Sequence, residues 1–189
     1  MIRSEVGIGF AGMACLAGPI EACAYQSDTV FTFSVANVEY IDTHNSMAAS
    51  LFAARNAVKE LIDGGTVSQI IMEGLFSLDR MPVPCKSLLG ASVQSHPLVA
   101  LAKQKAEEYL EQHYMVTYQT RFPGWGFEHH HGQPTESHKA MIRQRKSGTP
   151  VHRTTFAPLS RYLFTRSRKL DNGIHKTCQK GKSFKIQKS

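Results

Sequence analysis

The sequence predicts an α/β fold in which helices flank a mixed sheet. Strand-like apolar runs come first, a long segment with helical periodicity follows, and another strand-like run precedes the remaining helices. The chain has 189 residues, of which 42% are hydrophobic. This is enough for one globular domain with a core of its own.

Four strands are predicted. Residues 6–9 and 20–25 are short apolar runs separated by glycine-rich sequence, and residues 28–40 are rich in Val, Phe and Thr. After the first helix, residues 68–74 form a short buried strand with the sequence "SQIIMEG". Three strands in succession, followed by a helix and a strand, are typical of a mixed sheet.

The first helix is predicted from its caps and its apolar spacing. Asn45 or Ser46 can cap its start, and Gly64-Gly65 ends it. Between them, apolar residues recur at spacings of three and four, as on one face of a helix. These residues are Met47, Leu51, Ala54, Val58 and Leu61.

Later helices are predicted in the second half of the chain. Residues 96–114 form an amphipathic helix that starts near Pro97. Thr135 caps a further helix that runs to about Lys146, and "RYLFTRSRKL" is predicted to extend as a last helix.

The opening stretch, "VGIGFAGMACLAGPIEACAY", is apolar enough to suggest an export signal or a phosphate loop. Glu5 and Glu21 flank the run, and its glycines disfavour the helix that a signal peptide needs. The G-x-G-x-x-G spacing is present, but no helix opens at Gly12. We therefore expect a strand, a loop and a strand here, and a protein that is not secreted.

The basic residues are concentrated at the end of the chain. Residues 161–189 carry nine Lys or Arg and one acid, a charge of +8, whereas the whole chain carries +7. Residues 1–160 therefore sum to −1. A basic tail on a neutral body predicts an acidic partner, such as nucleic acid, a ribonucleoprotein or a protein complex. A solvated, frayed terminus would show the same charge pattern.

The cysteines and the hydropathy indicate the compartment. Cys15, Cys23, Cys85 and Cys178 form no C-x-x-C pair and are typical of reduced thiols. No apolar run reaches the length of a membrane helix, because Glu21 interrupts the opening stretch. We expect a cytoplasmic protein or one of an organellar matrix, with no membrane partner.

One stretch is more specific than composition. Residues 124–163, "GWGFEHHHGQPTESHKAMIRQRKSGTPVHRTTFAPLSRYL", resemble the C-terminal signature of bacterial ribonuclease HII, Y-G-F-x-x-H-K-G-Y-P-T-x-x-H followed by G-P-x-x-x-H-R-x-S-F-x-P. The positions that fall in register are Gly126, Phe127, His130, Gly132, Pro134, Thr135, His138, His152, Arg153, Phe156 and Pro158.

The resemblance covers about residues 6–165. The opening stretch resembles the family's A-G-[IV]-D-E-x-G-R-G-P-L-A-G-P strand and loop, "QIIMEG" its V-L-I-D-G strand, and residues 90–103 its A-A-S-I-L-A-K-V-T-R-D helix. The family's D-S-K-K-L-S segment is missing between Tyr25 and Thr32. The resemblance implies a ribonuclease H-like domain at 1–165 and a basic tail at 166–189.

The family resembled here cleaves RNA in RNA–DNA hybrids with two Mg²⁺ or Mn²⁺ ions held by four acids. Carried across by the motifs, those positions are occupied here by Gly9, Phe10, Glu73 and Ala100. Only Glu73 can be a metal ligand, and one carboxylate does not hold two divalent ions. We therefore expect no confident catalytic residue and no bound cofactor.

Substrate-reading groups of the family have changed as well. Its G-R-G loop is Gly12-Met13-Ala14, its stacking Tyr is Gln133, and the Lys two residues earlier is His131. Apolar and turn residues such as Leu16 are kept. The pattern predicts a retained fold with a dismantled site.

The leading prediction is thus a catalytically inactive ribonuclease HII-like protein that acts as a nucleic-acid-binding or structural module. Its basic tail is expected to contact RNA or an RNA–DNA hybrid, in a ribonucleoprotein assembly such as an organellar ribosome. The alternative is a divergent ribonuclease H that uses Mg²⁺ or Mn²⁺ through Glu73. A histidine metal site at 129–131 with His138 is not expected, because consecutive residues rarely ligate one ion.

The predicted nucleic-acid contacts are the basic residues of the C-terminal part of the chain. They are Arg153, Arg161, Arg166, Arg168, Lys169, Lys176, Lys180, Lys182, Lys185 and Lys188.

Overall fold

A computed structural model describes residues 4–65, 67–90 and 95–163. Its centre is a five-stranded sheet in the order β3-β2-β1-β4-β5. The strands are β1 (Ser4–Ala11), β2 (Ile20–Ser27), β3 (Val30–Ala36), β4 (Val67–Glu73) and β5 (Cys85–Leu88). The predicted mixed sheet flanked by helices is confirmed. The sequence analysis did not predict β5.

Strand direction divides the sheet into two halves. The first three strands pair antiparallel, whereas β4 runs parallel to β1 and β5 parallel to β4. Only Asp28 and Thr29 separate β2 from β3. This tight hairpin occupies the place of the segment that is missing relative to the ribonuclease HII motifs.

One long helix covers each face of the sheet. Helix α1 (Val38–Asp63) packs against β2 and β3 through buried small residues such as Ala53 and Ala57. Helix α2 (Pro97–Leu110) packs along β1 and β2 on the other face. Two apolar clusters, one on each side of the sheet, make the core.

Helix α1 begins earlier than predicted. Asn37 caps it, with its side-chain oxygen accepting from the Tyr40 N–H at 2.8 Å, so the strand predicted over residues 28–40 is wrong beyond Ala36. The predicted cap at Asn45 lies inside the helix at a kink, with φ of 73°, and accepts from the Ala48 N–H at 3.0 Å. A buried Ile41 anchors the first turn.

The remaining helices follow α2 directly. A π-helical turn (Glu111–Met115) joins α2 to α3 (Val116–Arg121), and α4 (Phe127–His130) and α5 (Glu136–Arg145) come after it. Thr135 caps α5 as predicted, accepting from the His138 N–H at 3.2 Å. Within the described part of the chain, no helix combines the length and apolarity of a membrane span.

Candidate functional site

A first cleft, of about 300 Å³, opens where β1, β4 and β5 end. It is lined by Met13, Glu73, Gly74, Leu88, Leu89, Gly90 and Lys103. The Lys103 ammonium on α2 donates to both carboxylate oxygens of Glu73, at 3.3 and 3.4 Å. Because the Glu73 side chain is only 19% exposed, the lysine is its close counter-charge.

The neighbouring position on β1 has no room for a side chain. Gly9 follows the last paired residues of β1 and β4, so it lies beside Glu73 on the face under α2. A Cβ on Gly9 would overlap the Lys103 backbone nitrogen and lie 2.5 Å from its Cα. A Cβ on Gly7 would likewise meet the backbone of Leu98. The close approach of helix to strand therefore requires glycine at both positions.

The other two positions aligned with family acids lie apart. Phe10 is 4% exposed in the apolar cluster under α1, on the opposite face of the sheet. Ala100 is exposed in the first turn of α2. Among the described residues, no group of three or more His, Cys, Asp or Glu side chains could hold a metal ion. The donor set does not fit two divalent cations, which need several oxygen ligands.

A second cleft, of about 280 Å³, lies between the loop after β1, the end of α2 and the turn after α4. It is lined by Ala11, Gly12, Cys15, Glu107, Leu110, Glu111, Met115, His131 and Gln133. Glu111 pairs with the imidazole of His131, and Glu107 adds a second carboxylate. Among the residues that the structure describes, neither Lys nor Arg lines this cleft. It would repel rather than attract a phosphate group.

A further acid, Glu21 on β2, is buried in the sheet. Glu21 on β2 is 0% exposed, and neither carboxylate oxygen has a hydrogen-bond partner within the part of the chain that the structure describes. Burial raises its pKa to about 8. The side chain is therefore mostly protonated at neutral pH.

Three buried histidines hold the turn after α4 to α5 and to the loop that follows it. His152 accepts from the Thr149 N–H at Nδ1 (2.9 Å) and donates from Nε2 to His138 Nε2 (2.9 Å). His138 in turn donates from Nδ1 to the Gln133 carbonyl at 2.9 Å. The third ring, His130, stacks on His138 at 3.8 Å between centroids. These partners fix neutral tautomers.

The pKa values agree with this arrangement. Burial lowers the pKa of His138 to about 4 and, with the neighbouring His138, that of His152 to about 3. Burial also lowers the pKa of His130. The motif histidines His130, His138 and His152 therefore all have structural partners, whereas the neighbouring His129 is exposed.

Arg153 is fully buried rather than available to a nucleic acid, which corrects its assignment as a contact. Its guanidinium donates to the carbonyls of Gly12 (2.6 Å), Met13 (3.1 Å), Gly18 (2.9 Å) and Pro19 (3.0 Å). Burial lowers its pKa to about 10, so the group stays charged at neutral pH. Its role is to hold the loop between β1 and β2 in shape.

A second clamp ties α1 to the same C-terminal segment. Asp42 accepts from the backbone N–H groups of Thr154 (2.8 Å) and Thr155 (3.1 Å). It also accepts from their hydroxyls, at 2.7 and 2.6 Å. These bonds join residues more than 110 positions apart in the sequence.

Of the predicted tail contacts, only Arg161 lies in the described part of the chain, and it is exposed. The others lie outside the described residues and remain predictions. They are Arg166, Arg168, Lys169, Lys176, Lys180, Lys182, Lys185 and Lys188.

No protein-family model matches the sequence. Among curated proteins, ribonuclease HII of Cupriavidus pinatubonensis is 31% identical over 190 residues, which cover 84% of this chain and 85% of that protein. Ribonuclease HII of Syntrophotalea carbinolica is 27% identical, covering 85% and 88%. Ribonuclease HII of Halorhodospira halophila is 28% identical, and the chain spans 64% of its length.

Solved structures show the same fold. The ribonuclease HII of Archaeoglobus fulgidus, solved as a complex with PCNA, has a TM-score of 0.60 and 13% identity, covering 84% of this chain and 96% of that one. The ribonuclease H2 of Pyrococcus horikoshii has a TM-score of 0.59 and 12% identity, covering 88% and 100%.

Two residues of the clefts were not predicted from sequence. Lys103 pairs with Glu73 across 30 positions, and Glu111 pairs with His131 across 20. Each is one charged residue on an amphipathic helix, whose partner is set by packing. In the sequence, only the cluster of Glu107, Glu108 and Glu111 indicated that this end of the helix is acidic.

Proposed function

The chain belongs to the ribonuclease HII family, and we propose that it binds nucleic acid without cleaving it. Its membership accounts for the fold and for the buried motif residues. The residues that line the two clefts support the absence of cleavage.

The ion pair between Lys103 and Glu73 is the observation that carries the proposal. A divalent cation at the end of β4 would need the Glu73 carboxylate and further oxygen ligands. Here the ammonium lies 3.3 Å from that carboxylate, and its positive charge would repel a metal ion at the same place. The neighbouring position, Gly9, has no space for a ligand because α2 packs against it.

The second cleft supports the same conclusion. The loop and the turn that the resemblance associates with the substrate meet here, at Gly12 and Gln133. The carboxylates of Glu107 and Glu111 line this cleft, so a phosphate would meet like charge. Binding at another, basic surface is therefore favoured over binding in the family's cleft.

One observation favours a second candidate, a divergent ribonuclease H that needs Mn²⁺ or Mg²⁺. The relatives at 27 to 31% identity are ribonucleases HII, and Glu73 keeps a carboxylate at the end of β4. In that case Lys103 would have to move away from Glu73 when the metal binds.

A cleavage assay separates the two candidates. The full chain is incubated with an RNA–DNA hybrid and Mn²⁺, beside Glu73→Ala, Lys103→Ala and, as a matched control, Glu60→Ala, an exposed acid on α1. We expect no cleavage by any of them. Cleavage by the wild type that Glu73→Ala abolishes and Glu60→Ala keeps would overturn the proposal.

Binding is tested with the same hybrid by fluorescence anisotropy over a series of salt concentrations. Deleting residues 166–189, which hold eight Lys or Arg, should weaken binding and flatten the salt dependence. A wild type that binds no nucleic acid contradicts the proposal. Purification from the protein's own cells should recover RNA or a ribonucleoprotein with it.

A further inference from the structure

Positive charge in the described residues is concentrated on one helix. Residues 136–146, which are α5 and its C-cap, hold four cations and one acid, Glu136. The segment from α2 through the π-helical turn, residues 97–115, holds two lysines and three acids instead. The two surfaces therefore differ in sign.

The cations of α5 follow one another along the helix. Lys139 and Arg143 are four residues apart and so share a face, and Lys146 is the C-cap residue at its end. From Lys139 to Lys146 the helix rises about 10 Å. This matches the rise of about three nucleotides along one strand of a duplex.

Two arginines extend this surface at the end of the helix. The Arg145 guanidinium lies 4.4 Å from the centroid of the Trp125 ring and donates to the Gly124 carbonyl at 2.7 Å. Arg121, at the end of α3, precedes that carbonyl by three residues and is exposed. The surface that includes both is called the α5 surface below. Its residues are Arg121, Lys139, Arg143, Arg145 and Lys146.

Glu136 is the anion that now pairs with these cations. Its carboxylate lies 3.0 Å from the Lys139 ammonium and 3.5 Å from the Arg143 guanidinium. The Glu136 side chain is 77% exposed, and exposed ion pairs contribute little to stability. A phosphate can therefore replace this carboxylate without disturbing the fold.

The end of α5 lies next to the last part of the chain that the structure describes. A Cβ on Gly148, just after α5, would lie 2.8 Å from a methyl carbon of Leu159. Residues 159–163 are helical and end the described chain, and Arg161 is exposed on them. The sequence then continues into residues 166–189, with eight more Lys or Arg.

We infer that the α5 surface binds the phosphate backbone of a nucleic acid. None of its residues lines either of the two clefts. The inference rests on the proposed function and names the surface that performs it. A phosphate backbone fits better than an acidic protein because the family acts on nucleic acid and the cations follow a line rather than a pocket.

The test uses variants of opposite sign in the full chain. Arg143→Gln with Lys146→Gln removes two cations, and Glu136→Gln removes their competing anion. Lys59→Gln, an exposed lysine on α1 across the sheet, is the matched control. Affinity for a labelled RNA–DNA hybrid is measured over a NaCl series, and thermal melting checks that each variant folds.

The double variant should flatten the log–log salt slope by about 1.8 and weaken binding by up to about 60-fold near 0.1 M salt. Glu136→Gln should bind more tightly, and Lys59→Gln should bind as the wild type does. An unchanged slope in the folded double variant overturns this inference and leaves the proposed function standing. Tighter binding of polyglutamate than of the hybrid at equal charge overturns it in favour of an acidic protein partner. A wild type that binds no nucleic acid refutes both.

Discussion

Gly9→Ala tests whether the packing of α2 excludes a side chain from the position beside Glu73. The new Cβ would overlap the Lys103 nitrogen and lie 2.5 Å from the Lys103 Cα and 2.8 Å from the Ala102 carbonyl carbon. Ordinary contacts are about 3.5 Å or more. All three atoms belong to the backbone of a helix, so none can rotate away and α2 must retreat from β1.

Overpacking of this kind typically costs 1–3 kcal/mol, and we expect about 3 because a whole helix must move. For a chain of this length, the melting temperature should fall by about 6–12 °C. The assay is thermal or urea unfolding followed by circular dichroism. Gly64→Ala is the control, because Gly64 has φ of −71° and should tolerate Ala within about 0.5 kcal/mol.

Gly9→Asp tests in addition whether an acid at this position restores cleavage. It should be at least as destabilised as Gly9→Ala, and it should not cleave a hybrid in the presence of Mn²⁺. A Gly9→Ala variant with wild-type stability would refute the reasoning, because α2 would then be free to make room for a ligand.

Three further predictions concern buried polar groups. Glu21→Val should raise the free energy of unfolding by about 3 kcal/mol at pH 7 and by less than about 1 kcal/mol at pH 5. The reason is that the folded-state pKa of Glu21, about 8, makes this side chain destabilising as the pH rises above about 4.5. Equal gains at both pH values would contradict this prediction. In the Glu21→Val variant, lowering the pH from 7.5 to 5 should reduce the free energy of unfolding by about 4 kcal/mol. His138 and His152 bind protons near pH 6.5 in the unfolded chain, whereas their pKa values in the folded protein are about 4 and 3. A flat urea-unfolding profile over this range would show that the histidines are not held neutral. Asp42→Asn should lower the free energy of unfolding, measured by thermal unfolding, by about 2 kcal/mol, because an amide cannot accept from all four donors of Thr154 and Thr155. The control Asp63→Asn, at the end of α1, should leave the stability unchanged.

Local signals predicted most of the helices and strands. Thr135 caps α5 and Pro97 starts α2, as expected from residues that act within one turn. The strand over residues 28–40 was extended too far, because Val38 and Tyr40 favour strands but Asn37 caps a helix there. Strand β5 has only four residues and a charged Lys86, so its pattern gives little signal.

The sequence also predicted some features of the candidate site and missed others. The sequence placed Glu73 at the end of β4 and glycine at position 9, and both lie side by side on the face under α2. It did not predict that Arg153, an apparent surface cation, is buried and donates four hydrogen bonds to carbonyls of the loop between β1 and β2. Burial of a charge depends on what surrounds it, which a single motif does not contain.

The sequence by itself determined the family motifs, the order of strands and helices, and the excess of positive charge at the C-terminal end. These follow from residue type and near spacing, which act over a few positions of the chain. Only the tertiary structure decided that Lys103 neutralises Glu73, that α2 leaves Gly9 no room for a ligand, and that none of the α5 cations lines the acidic cleft. The physical reason is that ion pairing, steric exclusion and surface charge depend on distances between elements that are far apart in sequence.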